Sequence, residues 1–313
     1  MPVARGCPRP WLGRDVRGFA IAPEGADFHD SGGRTGTHCA WNCPRLRVMS
    51  QNDFAEANRA AWNQVAPLHR RHNFARLSES FSRPGYSCLD PIETGLLRGL
   101  GIAGKDVAQL ACNNGRELIS MRNLGARRCV GFDISDAFVA EAQELAAIAK
   151  QDVAFVRTSV FDIPPEYDGS FDLVVITIGV LNWLPDLAAF YRVVDRLLRP
   201  GGRFFAYEMH PVLWIFDPAP DGTTLQFTHP YFETTPFLDN EGLDYYGNTE
   251  YVSRDKYSFQ HTLGDILQGA IDAGLRIAHI REYPHDISNR FANLTDKRFL
   301  PPMSCTLIAE KGA

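Results

Sequence analysis

Short apolar segments alternate with helical segments through the middle of this chain, and that alternation restricts the fold more than any other feature. Parallel strands that are buried on both faces are short and continuously apolar, whereas helices repeat apolar residues every three to four positions. Such a series predicts an α/β fold, with a parallel sheet, right-handed crossovers and helices on both faces. The predicted strands are residues 107–111, 128–133, 153–157, 171–177 and 203–208.

The segments around these strands show the residues that begin and end helices. Ser135 and Thr262 each stand where a side-chain oxygen can cap a helix N-terminus. The helix before Pro200 places apolar residues at spacings of three and four. Residues 49–100 carry two helical patterns ahead of the first strand, and we expect them to form an N-terminal helical cap.

Residues 209–260 break the alternation. They are rich in aromatic residues, Pro, Gly, Asn and Asp, and they are too long for a simple connection and too aromatic for a disordered linker. We expect this insertion to fold over the ligand site as a lid between the fifth strand and the next helix. Two further strands, near residues 275–283 and 304–311, are expected to complete the sheet.

The first 48 residues differ from the rest of the chain. They are dense in Gly, Arg and Pro and lack a helical or strand period, so we expect a disordered extension. Met49 is an alternative start for the native protein, and residues 49–313 then form the functional domain. Cys39 and Cys43 have no second pair of ligands later in the chain, so no metal site is expected.

Composition limits the partners of this 313-residue chain. Its net charge of −5 gives no basic footprint, which disfavours nucleic acid and favours a small-molecule partner. No apolar run is long enough to cross a bilayer, so no membrane partner is expected. The seven cysteines follow no regular framework, which indicates a reducing, cytoplasmic location. The oligomeric state is left open.

The turn after the first predicted strand, residues 111–115, contains a single glycine. Dinucleotide sites use several glycines, because a pyrophosphate lies against bare backbone amides at a helix N-terminus. Asparagine readily adopts positive φ, so Asn113 and Asn114 can keep the turn tight while offering side-chain amides. This chemistry suits a nucleoside with an amino-acid tail better than a diphosphate.

The second predicted strand ends in a carboxylate, that of Asp133. At this place an acidic side chain can accept hydrogen bonds from both ribose hydroxyls of a nucleotide cofactor. The alternative is a carboxylate that only caps a helix or a loop.

Five segments, in this order and spacing, resemble the class I S-adenosylmethionine-dependent methyltransferases over residues 53–311. They are VAQLACNNGRE, VGFDIS, TSVFDIP, GSFDLVVITIGVLNWLPD and LLRPGGRFFAYEMHP. The chain is most similar to a bacterial subgroup with a Cys-Asn-x-Gly turn and Glu-x-His-Pro after the fifth strand. The resemblance implies a methyltransferase with S-adenosylmethionine as cofactor, and a Rossmann-like, seven-stranded sheet whose last strand is antiparallel.

The resemblance also implies which residues hold the cofactor. Gln109 and Ser159 depart from the family pattern, which usually has acidic residues at both places. Arg116 is expected either to pair with the methionine carboxylate or to face solvent. The implied cofactor-binding residues are Ala111, Cys112, Asn113, Asn114, Gly115, Arg116, Asp133, Ile134, Ser159, Val160, Thr177 and Ile178.

Methyl transfer from a sulfonium is an in-line displacement onto an O, N or C atom, and it needs a base only when the acceptor arrives protonated. Glu208 and His210, which end the fifth strand, are the candidate catalytic residues, although a structural role for this histidine is the alternative. Aromatic residues and one further histidine are candidates for contacting a small-molecule acceptor, or else form the lid's own core. These are Trp62, Trp183, Trp214, Tyr245 and His261.

Two other functions remain open from the sequence. A non-catalytic or regulatory S-adenosylmethionine-binding protein would share the same fold. A nicotinamide-dependent oxidoreductase would share the first strand–helix–strand unit and the ribose carboxylate. The oxidoreductase is less well supported, since it would need more glycine in the turn and a proton donor such as Tyr-x-x-x-Lys.

Overall fold

The computed structural model describes residues 49–219, 222–288, 290, 291, 294 and 300–313. The predicted disorder and the alternative start concern residues 1–48, which lie outside the described residues. The helices are α1 Gln51–His69, α2 Ala75–Phe81, α3 Pro91–Gly99, α4 Arg116–Asn123, α5 Asp136–Ala149, α6 Leu187–Leu197 and α7 Leu263–Asp272. The strands are β1 Asp106–Leu110, β2 Arg128–Asp133, β3 Ala154–Arg157, β4 Phe171–Thr177, β5 Leu198–Met209, β6 Phe216–Pro218, β7 Leu225–Phe227, β8 Phe237–Asp239, β9 Lys256–Ser258, β10 Arg276–Tyr283 and β11 Ser304–Glu310.

Seven strands form one sheet in the order β10-β11-β5-β4-β1-β2-β3. The pairs β1–β2, β1–β4, β2–β3 and β4–β5 are parallel, whereas β11 is antiparallel to both of its neighbours. The predicted Rossmann-like sheet with an antiparallel last strand is therefore confirmed. The strand order reverses between β1 and β4, and in open α/β sheets ligands bind at the carboxyl ends of the strands beside such a switch point.

β5 begins earlier than predicted. Its pairing with β4 shifts between Phe171–Leu198 and Leu173–Arg203, so the Pro-Gly-Gly sequence lies in an irregular part of the strand. Gly201 has φ +73°, a conformation that side chains disfavour. The sequence predicts that the preceding helix stops at Pro200-Gly201-Gly202, but α6 ends earlier, at Leu197, and these three residues lie within β5.

The N-terminal caps of α5 and α7 are formed by the residues that the sequence predicted. The Ser135 hydroxyl accepts a hydrogen bond from the Phe138 amide, and Thr262 forms a reciprocal capping box with Asp265. Both predicted caps are confirmed. Ser50 and Asp53 form a further capping box, which begins α1 at Gln51.

The sheet has a hydrophobic core on each face. The first is built around the aromatic side chains of α6 and β5, including Phe190, Tyr191 and Phe204, which are fully buried. The second packs α3, α4 and α5 against the other face and includes Phe205 and Tyr207. Because both faces are covered, the carboxyl edge of the sheet is the part that can hold a ligand.

α1 and the insertion after β5 lie together near that edge. α1 continues through Pro67 to His69, and a π-helical turn at Arg70–Phe74 then connects it to α2. The insertion contains two short hairpins, β6–β7 and β8–β9. None of the described helices is both long and apolar enough to span a lipid bilayer.

Candidate active site

The turn after β1 is built from residues with a left-handed backbone. Ala111, Asn113 and Gly115 have φ values of +51°, +50° and +70°. Asparagine and glycine tolerate this conformation, whereas alanine pays a steric cost. Sequence reasoning expected positive φ at the asparagines; the structure has it at Asn113 and not at Asn114, and it adds Ala111.

Gly115 is required by packing as well as by its backbone. A Cβ atom at this position would lie 2.5 Å from Cζ of Phe155 on β3 and 3.0 Å from the Cβ atom of Ala142 on α5. Real Cβ atoms do not approach other atoms so closely. The single glycine of the turn therefore lets α4 begin directly against its neighbours.

The side-chain amides of the turn are used within the protein. Asn114 is buried and donates from Nδ2 to Oε1 of Glu141 on α5 at 3.0 Å. Oδ1 of Asn113 accepts the amide of Asn114 at 2.8 Å, and Cys112 is also buried. The turn therefore relies on its backbone to meet a ligand, and the cofactor contacts of its side chains remain predictions.

Asp133 lies at the end of β2, beside this turn. Its Oδ2 atom accepts the amide of Asn113 at 2.7 Å, and its Oδ1 atom accepts the amide of Ser135 at 2.8 Å. Burial raises the pKa of this carboxyl group to about 6, and the backbone donors of Ser135, Asn113 and Ile134 act in the opposite direction. A carboxylate can accept about four hydrogen bonds, so Asp133 holds the turn and keeps acceptor capacity for a ligand.

The side chain of Gln109, near the end of β1, contains a buried acceptor atom without a hydrogen-bond partner in the described part of the chain. Gln109 is 1% exposed, and its Nε2 atom donates to Oγ1 of Thr177, at the end of β4, over 2.9 Å. Its Oε1 atom has no hydrogen-bond partner among the described residues. A buried acceptor without a donor costs about 1–3 kcal/mol, so this edge is well suited to a ligand that supplies one.

Ile178 follows Thr177 with a strained backbone. Its φ is +42°, which is rare for a β-branched residue, and its side chain is 36% exposed. Strain of this kind is concentrated at ligand sites, where the surrounding structure enforces it. The predicted place of Thr177 and Ile178 beside a cofactor remains a prediction.

Glu208 on β5 enforces that backbone. Its carboxylate accepts the amides of Gly179 and Val180, the latter at 2.9 Å, and the side chain is 5% exposed. Burial raises the pKa of this group to about 7. Glu208 was predicted as a catalytic residue; the structure favours a positioning role, because both oxygens hold the loop after β4.

His210 is likewise engaged by its surroundings. Its Nδ1 atom accepts the amide of Val212 at 3.2 Å, so Nε2 carries the proton and donates to Oε1 of Glu282 at 2.8 Å. The ring is buried, and burial lowers its pKa. A base needs a free lone pair, and this histidine has none, so the structure does not support its predicted catalytic role.

The residues predicted near the adenine lie at the ends of β2 and β3. Ile134 is half-buried and Val160 is buried. The Ser159 hydroxyl caps a short 3-10 turn by accepting the amide of Phe161 at 3.3 Å. The Thr158 amide donates to the Asp133 carbonyl at 2.9 Å, which joins the two strand ends. These cofactor contacts remain predictions.

Arg116 links the turn to the insertion. Its guanidinium donates from Nε to Glu117 at 2.6 Å and from Nη1 to the Tyr246 hydroxyl at 2.6 Å. Sequence reasoning considered a ligand carboxylate or solvent as the partner of Arg116. The structure instead shows Glu117 and an aromatic residue more than a hundred positions later.

The predicted acceptor residues separate into two groups. Trp62 and Trp183 meet edge to face at 5.3 Å, and the Tyr245 ring lies 4.4 Å from that of His69. Trp214 is elsewhere, in a small cluster with Leu213 and Met303. His261 donates from Nε2 to the Leu184 carbonyl at 2.8 Å, which fixes the loop that carries Trp183.

Sequence reasoning missed His69. It lies at the end of α1 and is 2% exposed, and it is surrounded by the rings of Trp62, Phe138, Tyr245 and Tyr246 at centroid distances of 4.4–6.4 Å. The segment LHRRH showed only a basic run in a helix. One signal was available: Trp62 and His69 are seven residues apart and therefore share a helix face.

Residues 108–206 match a protein-family model whose description is a methyltransferase domain. The match runs from β1 to β5, so it contains the turn, Asp133 and Thr177. This part of the chain is therefore similar to a methyltransferase domain. α1 and the insertion lie outside the match, and so do Glu208 and His210.

Curated relatives of this domain fall into two groups. A ubiquinone biosynthesis O-methyltransferase of Xanthomonas oryzae pv. oryzae is 34% identical over 106 residues, which are 34% of this chain and 44% of that protein. A tRNA U34 carboxymethyltransferase of Campylobacter curvus is 27% identical over 137 residues, 44% of this chain and 45% of that protein. The chain spans less than half the length of these relatives.

Solved structures share the fold. An S-adenosylmethionine-dependent methyltransferase from Mesorhizobium loti is 21% identical and has a TM-score of 0.50, with 69% of this chain and 96% of that chain covered. A protein of Listeria monocytogenes assigned to the same class is 18% identical, with a TM-score of 0.54 and coverages of 70% and 96%. These likenesses show that the chain shares its fold with both proteins.

Proposed function

We propose that the protein transfers a methyl group from S-adenosylmethionine to a nucleophilic atom of a small-molecule acceptor. One observation carries the proposal: the left-handed turn at residues 111–115 and the Asp133 carboxylate meet at the switch point of the sheet. The same position lies inside the matched methyltransferase domain. S-adenosylmethionine supplies an electrophilic methyl group on a sulfonium when it is bound.

The polar groups at this edge fit that cofactor. Asp133 has acceptor capacity for the ribose hydroxyls, and the unpartnered Oε1 atom of Gln109 suits the ammonium of the amino-acid tail. The exposed Ile178 side chain offers an apolar surface beside them. A dinucleotide fits less well, since Gly115 is the one glycine of the turn.

Glu208 and His261 would position the acceptor side of the site. Glu208 fixes the backbone of residues 179–180, and His261 fixes the loop around Leu184, so the Trp183 ring between them is held in one place. Good alignment of reacting groups lowers barriers by roughly 7–11 kcal/mol. The chain's main contribution is therefore the placement of an acceptor against the methyl group.

A small-molecule acceptor is favoured over nucleic acid by the charge of −5 and by the aromatic rings around the edge. The relatives include both a ubiquinone biosynthesis O-methyltransferase and a tRNA U34 carboxymethyltransferase, so the acceptor class is part of the proposal.

Calorimetry tests the cofactor half of the proposal. We expect S-adenosylmethionine and S-adenosylhomocysteine to bind and NADH not to bind. Asp133→Asn should weaken S-adenosylhomocysteine binding roughly 10- to 100-fold, because hydrogen bonds to a charged group contribute about 1.5–3 kcal/mol. Asp136→Asn is the matched control, since Asp136 lies three residues further on and pairs with Arg59 at the surface. Unchanged binding by Asp133→Asn would contradict the proposal.

Transfer of a tritiated methyl group tests the acceptor half. The protein is incubated with labelled S-adenosylmethionine and either a low-molecular-weight cell extract or bulk tRNA. Label in the small-molecule fraction is the expected result. Label in tRNA would move the protein to the nucleic-acid class, and cofactor binding without any transfer would favour a non-catalytic binding protein.

A further inference from the structure

His69 is the one buried histidine in the described part of the chain with a ring nitrogen that has no partner. Its Nε2 atom lies 2.8 Å from the Leu243 carbonyl, which can only accept, so Nε2 carries the proton. Nδ1 therefore holds a lone pair without a donor. Burial also lowers the pKa of His69, which keeps the ring neutral near pH 7.

The environment of that lone pair is aromatic and comes from three parts of the fold. Trp62 lies on the same helix, Phe138 on the first turn of α5, and Tyr245 and Tyr246 on the insertion. The Tyr246 ring lies 4.9 Å from that of His69, and its hydroxyl accepts a hydrogen bond from Arg116 on the first turn of α4, so the His69 ring is near the turn after β1. Flat rings of this kind favour a planar, apolar ligand with few polar groups.

The helix is irregular at this residue. The α-helical hydrogen bonding of α1 ends at His69, and the π-helical turn Arg70–Phe74 begins directly after it. π-Helical turns are rare and often occur at functional sites, because they displace a side chain from regular helical spacing. The buried lone pair and the irregular backbone are independent observations that coincide at one residue.

We infer that His69 is the general base of the reaction, and that the acceptor is a planar compound carrying a hydroxyl group. This inference rests on the proposed function. The acceptor proton passes from oxygen to Nδ1 of His69. The acceptor oxygen forms its bond to the methyl carbon as the sulfur–methyl bond breaks, and that electron pair stays on sulfur. The products are a methyl ether, S-adenosylhomocysteine and one proton, which His69 releases to solvent.

The groups facing His69 are suited to this cycle. Asp244 on the insertion and the Leu243 carbonyl both favour the protonated ring, whereas Arg116 and His72 oppose it. Tyr245 and Tyr246 complete the set of titratable neighbours. The ring is therefore neutral at rest and has nearby groups that stabilise a transient positive charge.

Substitution of His69 by glutamine tests the inference with defined hydroxylated aromatic compounds as acceptors and labelled S-adenosylmethionine. We expect kcat to fall roughly 10²- to 10⁴-fold, the usual contribution of a general base, with S-adenosylhomocysteine affinity within threefold of wild type. The acidic limb of the wild-type pH–rate profile should disappear. His279→Gln on the edge strand β10 is the control, since His279 contacts Thr306 away from the site.

The acidity of the acceptor separates a base from a structural residue. A nitrophenol that is already ionised at the assay pH needs no base, so the loss in His69→Gln should shrink for it. An equal loss for all acceptors, activity within threefold of wild type, or a tenfold loss of S-adenosylhomocysteine affinity would each overturn the inference. If the wild-type protein methylates other acceptors but no hydroxylated compound, the inference about His69 is wrong and the proposed function stands. If the wild-type protein methylates no acceptor at all, the proposed catalysis is wrong as well.

Discussion

The sheet edge around Gly115 and the aromatic cluster around His69 are built differently. At the edge, the turn, Asp133 and Glu208 are joined by hydrogen bonds to backbone amides within or beside the sheet. Around His69, α1 reaches the insertion through side-chain bonds that span up to 199 residues of sequence. The proposed cofactor side is thus fixed by the sheet itself, whereas the proposed acceptor side depends on two segments that must dock.

Two side chains of α1 hold the insertion through similar pairs of hydrogen bonds to its backbone. Asn58 donates to the Tyr257 carbonyl at 2.9 Å and accepts the Tyr257 amide at 2.7 Å, so one side chain satisfies both backbone groups of one residue. Gln64 instead bridges two residues, because it donates to the Val252 carbonyl at 3.2 Å and accepts the Arg254 amide at 2.7 Å. We therefore expect the insertion to loosen without disturbing the sheet, since these bonds join α1 to the insertion and do not involve the strands of the sheet.

Filling the space at Gly115 should have the largest effect and should damage the cofactor side. In Gly115→Ala the methyl group meets Phe155 and the backbone is strained, which together cost roughly 2–5 kcal/mol. Gly104→Ala is the matched control, because Gly104 has φ +76° and an added methyl group there would have no neighbouring atom within 4 Å. Urea unfolding should show a loss for Gly115→Ala well above that for Gly104→Ala. Equal losses would mean that packing does not define the turn.

Removal of the charge at Glu208 should have the next largest effect. The difference in stability between this variant and wild type should change with pH. The folded-state pKa of about 7 lies above the ordinary value of 4.5, so the native state binds more protons between these pH values. Wild-type stability contributed by this group therefore falls as pH rises through that window. Relative to wild type, Glu208→Gln should gain on the order of 3 kcal/mol between pH 4.5 and 7.

Unfolding curves at several pH values measure this difference. Glu56→Gln is the control, because Glu56 is an exposed surface residue in an ion pair with Arg59. A stability difference between Glu208→Gln and wild type that stays constant across this window would show that the carboxylate is not buried against the loop amides.

Release of the insertion should have the smallest effect on global stability and should be confined to the acceptor side. Asn58→Ala leaves two backbone groups of Tyr257 without partners and should cost about 1–3 kcal/mol. Hydrogen exchange should accelerate over residues 243–258 and remain unchanged in β1, β2 and β4. Arg59→Ala, on the same helix, breaks a surface pair with Asp136 and should leave exchange in the insertion as it was. Faster exchange throughout the sheet would contradict the separation of the two sides.

The sequence predicted correctly those features that depend on interactions between residues close together in the chain. The strand pattern, the caps at Ser135 and Thr262, and the carboxylate after β2 each follow from a few adjacent residues. The catalytic roles predicted for individual residues are less well supported, because residue type alone does not show what a side chain contacts. Glu208 and His210 have suitable chemistry for catalysis, yet neighbouring backbone amides occupy their acceptor atoms.

The sequence by itself determined the α/β sheet and the place of the turn after β1, since short apolar periods and turn residues encode these features directly. The antiparallel last strand followed from the resemblance to class I methyltransferases. Only the tertiary structure decided which polar atoms remain free. The carbonyl of Leu243, 174 residues away in the sequence, fixes the proton of His69 on Nε2 and leaves Nδ1 without a hydrogen-bond partner among the residues that the structure describes. Hydrogen-bond partners are chosen by how the chain folds back on itself, and no local pattern records that choice.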